Sequence, residues 1–137
     1  MENPLTDKEM EVLYDRFMSS FVENRDYRSD LETNALKQLK GIYLEKAKAS
    51  ILERLEKKPD HDAVWSARAI NLTDAVPIMK RWFDEMRSNP ASKYSHRGFL
   101  AYNLYEFTKD TSFVPDVVET VQKEGYSDFE YGVSWLR

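Results

Sequence analysis

Cysteine is absent from the 137 residues, and glycine occurs only four times. The first absence removes disulfides, thiolate zinc ligands and thiol nucleophiles together. The second leaves too little glycine for the usual phosphate-cradling loops. With no GxxxxGK[ST], GxGxxG or GxSxG in the chain, nucleotide hydrolysis and serine-hydrolase chemistry have no motif to rest on. Histidine is scarce as well, at His61 and His96. Helical metal sites pair a histidine with a carboxylate three or four residues away. His96 has none at that spacing, and in "PDHDAVW" Asp60 and Asp62 read as caps of the following helix rather than partners of His61. No metal and no cofactor is expected.

Long apolar runs are missing too. No window approaches the length that spans a bilayer, and "MENPLTDKEMEVLYDRF" lacks a basic stretch followed by an uncharged apolar one. The expected setting is soluble and cytoplasmic, with no membrane contact. Strand signals are nearly absent: there is no sustained period-2 alternation and no Asn-Gly or Asp-Gly turn.

Helix signals, by contrast, recur. "TDKE" at Thr6, "SDLE" at Ser29 and "SDFE" at Ser127 each set a hydroxyl three residues before a glutamate. In that spacing the hydroxyl accepts from the third backbone N–H and the glutamate from the cap's own N–H. Thr73-Asp74 marks a fourth start, early enough that Pro77 falls among donors lacking an intrahelical acceptor. Helices are predicted near 7–23, 30–57, 62–70, 74–88, 93–109, 115–123 and 128–136. In the first, Met10, Leu13, Tyr14, Phe17, Met18 and Phe21 recur at 3–4 residue spacing, as a helix burying one face requires. The second carries Leu36, Leu39, Tyr43, Ala47 and Ile51; the fourth, Val76, Met79, Trp82, Phe83 and Met86. The fold class is therefore all-α: a compact single-domain bundle, residues 1–137, of about six to seven helices. One is long and central, since about 28 residues at 1.5 Å each run about 42 Å. Gly41 inside it implies a close crossing or a slight bend.

The stretch "SKYSHRGFLAYNLYEFTKD" mixes cations with Phe99, Tyr102, Tyr105 and Phe107. A single-strand binder interleaves aromatics and cations along one exposed surface. Here Lys93, His96 and Arg97 gather at one end, while Glu106 and Asp110 mark the aromatic end. The pattern is that of a mostly buried helix, with His96, Asn103, Glu106 and Asp110 as its polar strip.

Charge is uneven. Met1–Ala35 has a net charge of −5, Leu36–Gly98 of +5 and Phe99–Arg137 of −4. Acidic ends around a basic middle are explained by compensation within the fold. The function expected is a non-catalytic, protein-binding regulator, adaptor or inhibitor acting through a helical, aromatic-containing surface. The reason is that 3 Trp, 8 Tyr and 7 Phe exceed what the visible stripes need, and aromatics concentrate at interface hot spots. Leu52 and Leu55, at the far end of the long helix, and Trp135 and Leu136 near the C-terminus are the candidate contacts, for another protein or a second copy of the chain. The alternative is nucleic-acid binding by the basic segment 36–98, through Lys80, Arg81, Arg87, Lys93 and Arg97. A third reading is an enzyme using carboxylates such as Glu106 and Asp110.

Overall fold

Every element of secondary structure in the described residues is helical. The computed structural model describes residues 5–21, 31–89 and 94–124, with side chains for 97–122 in the last span. The helices are α1 (Asp7–Ser19), α2 (Thr33–Gln38), α3 (Gly41–Lys57), α4 (His61–Ala69), α5 (Ala75–Ser88), α6 (Tyr94–Thr108) and α7 (Val114–Glu124), with a 3₁₀ turn at Thr111–Phe113. They fall into two compact units, Met1–Leu72 and Thr73–Arg137. The helix expected at 128–136, the caps at Ser29 and Ser127, and Lys93, Trp135 and Leu136 lie outside the described residues.

In the first unit α1 begins as its capping box dictates. Thr6 Oγ1 accepts from the Glu9 N–H at 3.1 Å, and Glu9 Oε1 accepts from the Thr6 N–H at 3.0 Å. The helix buries Met10 and Phe17, and packs on α2 and α3. Leu13, Tyr14, Met18 and Phe21, expected on the same stripe, are only half-buried.

The long helix of 30–57 is instead two helices. Leu39 leaves α2 with extended backbone, Lys40 is extended as well, and Gly41 opens α3 with φ +61°. That left-handed value suits glycine, which has no Cβ to clash. The break keeps both apolar stripes buried: Ala35, Leu36 and Leu39 on one side, Ala47, Ile51 and Leu55 on the other.

At its far end α3 is closed by an ion pair. Arg54 donates through Nε and Nη2 to Asp60 Oδ2, each at 2.8 Å, while Asp60 Oδ1 caps α4 by accepting from the Asp62 N–H. The Arg54 guanidinium also lies 4.2 Å from the Phe21 ring centroid, a cation–π contact. Helix α4 ends in a Schellman motif: Leu72 N–H donates to Ala67 O and Asn71 N–H to Arg68 O, with Asn71 at φ +51°.

In the second unit α6 packs against both α5 and α7. Its core holds Met79 and Phe83 of α5, Phe99, Leu100, Ala101 and Leu104 of α6, and Phe113 and Val117. Phe83 and Phe113 meet edge to face, centroids 5.4 Å apart. Pro77 is the third residue of α5, within the first turn as expected. The aromatic stretch of α6 is indeed inside: Phe99 is buried, and Tyr102, Tyr105 and Phe107 are half-buried. One element of the expected polar strip is wrong. Asn103 is fully buried, and its Nδ2 donates to Phe99 O at 2.8 Å; a carbonyl of the same helix satisfies the amide and lets it enter the core.

Candidate partner-binding groove

The first turn of α1 places Leu5 just outside the helix, with Lys8, Val12 and Leu13 following within it. Leu5 precedes the extended N-cap Thr6, while Val12 and Leu13 lie side by side on α1. Together with Thr6, Lys8, Glu9 and Gln38 they line a groove of about 460 Å³ with an apolar floor. Gln38 is the last residue of α2, and its Nε2 donates back to Asn34 O at 3.1 Å. Val12 is 52% exposed, and Ile42 and Trp65, the other large apolar side chains left open among the described residues, also belong to the first unit.

Scattered apolar residues on a surface are normal; Leu5, Val12 and Leu13 differ in lining one depression together. The acid lining the groove, Glu9, has its pKa lowered, chiefly by the Thr6 backbone hydrogen bond and then by the Thr6 side chain. It is held ionised as part of the cap. Beyond the groove, Tyr14 and Tyr43 approach to 6.1 Å between centroids, with Lys46 Nζ 5.7 and 5.8 Å from the two rings.

The candidate contacts at the end of α3 separate. Leu55 is fully buried among the core side chains of the first unit, so its burial requires no partner; Leu52 is half-buried. The basic candidates separate as well. Lys80 and Arg81 are exposed on α5. Arg87, half exposed, donates through Nη2 to Asp116 Oδ2 at 2.5 Å, and Arg97, only 12% exposed, sets Nε 3.3 Å from Asp116 Oδ1 and Nη2 3.6 Å from Glu119 Oε2. These four side chains and Pro115 border a cleft of about 330 Å³. The Asp116 carboxylate is 7% exposed, and a charge that deep needs such partners. Two of the five basic candidates are thereby engaged by acids of the C-terminal third.

The carboxylate pair considered for acid–base chemistry is engaged in local structure. Glu106 pairs with Lys109 at 3.2 Å, and Asp110 Oδ1 accepts from the Ser112 N–H at 2.9 Å, capping the 3₁₀ turn. Among the described residues no group of three or more His, Asp or Glu could hold a metal ion, and no helix is long and apolar enough to cross a membrane.

The groove itself was missed in the sequence. Leu13 was assigned to the buried stripe, and Leu5 and Val12 sit among Asp7, Lys8, Glu9 and Glu11, where two isolated aliphatics read as surface. Leu5 precedes the cap, so helical periodicity does not connect it with Val12 and no spacing signal was available. No family model, curated protein or solved structure matches this chain.

Proposed function

We propose that the chain is a protein-binding regulator, adaptor or inhibitor rather than an enzyme, and that the α1 groove receives apolar side chains of its partner. The observation that carries this reading is the groove of Leu5, Val12 and Leu13, concave and open, with Val12 half exposed. An apolar pocket of that kind is where a partner's anchor residue contributes most, because it is desolvated on both sides. Tyr14 of α1 and Tyr43 of α3, both half-buried, form an aromatic pair in the same unit.

The test is affinity capture from source-cell lysate with the wild-type chain and with Val12→Glu, each with and without nuclease. Val12 is exposed enough for the change to leave folding intact, which a circular-dichroism melt verifies. Partners retained by the wild type and lost from Val12→Glu support the reading. Partners retained equally by both sink it. The alternative, nucleic-acid binding, rests on Lys80 and Arg81 and on the net charge of the middle segment; loss of every captured species on nuclease treatment would favour it.

A further inference from the structure

The break between α2 and α3 is short and weakly secured. Only Leu39 and Lys40 separate the two helices, and among the described residues no side chain caps the start of α3. Several carbonyls at the end of α2 and N–H groups at the start of α3 thereby forgo the bonds that an unbroken helix would give them. The apolar spacing does not register the break. Leu36, Leu39, Tyr43, Ala47 and Ile51 follow one another at three or four residues, and on one helix they would form a single stripe. The turn itself falls on Gly41, at φ +61°, where an added Cβ meets nothing within 4 Å.

The contacts that join the two sides of the break all lie within the first unit. Helix α1 packs on α3 and α2 on α4, Tyr14 meets Tyr43, and Arg54 lies over the Phe21 ring. The same surfaces are present on any second copy of the chain.

We propose that the break is a hinge for exchange between two copies. In the exchanged dimer residues 33–57 run as one helix, and the α1–α2 pair of each copy packs on α3 and α4 of the other. The contacts across the hinge are re-formed between chains, and helical hydrogen bonds are added across residues 39–41. What opposes exchange is the entropy of association, so the dimer gains with concentration. Glycine at position 41 favours the monomer twice, by tolerating the left-handed turn and by weakening a helix interior. The groove of Leu5, Val12, Leu13 and Gln38 lies wholly on the α1–α2 side, so the exchanged dimer carries it twice.

Light scattering on size-exclusion fractions tests the hinge, with each chain refolded from urea at high micromolar concentration. The wild type should yield a dimer fraction, and Gly41→Ala should raise the association constant about tenfold or more, since alanine resists the turn and suits the merged helix. Ile42→Pro should remove the dimer from both. Ile42 is the second residue of α3, where its N–H has no intrahelical acceptor, but in a merged helix the proline ring would meet the Gln38 carbonyl. Ile42→Ser takes away the same side chain, 69% exposed, without barring the helix, and should leave the dimer in place. Loss of the dimer from both Ile42 variants would make that side chain an ordinary contact and overturn the proposal. A dimer indifferent to Ile42→Pro, or a folded Gly41→Ala that stays monomeric, would overturn it too. Should Gly41→Ala fail to fold, the refolded wild type decides through the same Ile42 pair, and a wild type without dimer then refutes the hinge.

Discussion

Gly98 and Thr120 mark a backbone approach between α6 and α7 that leaves no room for a methyl group. A Cβ at position 98 would lie 2.3 Å from Thr120 Oγ1, 2.6 Å from its Cβ and 2.8 Å from its Cγ2. Thr120 is fully buried and donates its hydroxyl to Asp116 O at 2.8 Å, so it cannot swing away freely. The close crossing also brings Arg97, the residue before the glycine, to Asp116, one turn before the threonine. Gly98→Ala gains about 1 kcal/mol of helix propensity but incurs overpacking of about 1–3 kcal/mol. The two helices must part to relieve the clash, so the expected outcome is a net loss of up to about 2 kcal/mol in urea unfolding. Thr120→Ala should not rescue it, because the Thr120 Cβ is itself in the way.

Gly41 predicts a ranking. Nothing lies within 4 Å of a Cβ built there, so any penalty comes from its φ of +61° and not from crowding. Gly41→Ala is expected to cost about 1–2 kcal/mol, the usual strain of an L-residue in that region, and Gly41→Asn clearly less. Equal stability of all three, followed by far-UV circular dichroism in urea, would show that the break at Leu39–Lys40 does not depend on the glycine.

Acid lability should trace to two caps. Glu9 is held below its ordinary 4.5, first by the Thr6 backbone N–H, and Asp110 below its ordinary 3.8, first by the Ser112 backbone N–H. A carboxyl with a depressed folded-state pKa stabilises fully above its unfolded value, and the contribution disappears as pH falls through the folded value. Stability should therefore decline from about pH 4.5 downward. Glu9→Gln and Asp110→Asn should each flatten that decline while lowering stability at neutral pH. Carboxyl titration by NMR checks the two pKa directions directly.

How much of this was legible follows from how local each device is. The Thr6–Glu9 box spans four residues, and sequence reading places it correctly. The break before α3 was misread because its signals conflict. Leu36, Leu39, Tyr43 and Ala47 keep helical spacing straight across it, and a single glycine is equally compatible with a close crossing or a slight bend inside one helix. Asn103 was misplaced because burial depends on whether a polar group finds a partner, and its partner is a backbone carbonyl that no side-chain pattern records. The Arg87–Asp116 contact joins residues 29 positions apart, beyond the reach of any periodicity. The groove needed the position of Gln38, at the end of α2, against α1, a tertiary relationship that periodicity does not record.

The order in which the second unit's helices pack has a kinetic consequence. Helix α6 touches α5 before it in the chain and α7 after it, so most of what stabilises the unit joins segments that are neighbours in sequence. Little chain entropy is lost before those contacts form. Such low contact order belongs to domains that fold in about microseconds to milliseconds. With α6 shared by both pairings, the turn bearing Arg97 and Gly98 is the natural place for the first lasting helix contact. Slower refolding of Thr120→Ala in stopped-flow measurements is the expected outcome, making Thr120 a gate on folding speed as well as a packing partner.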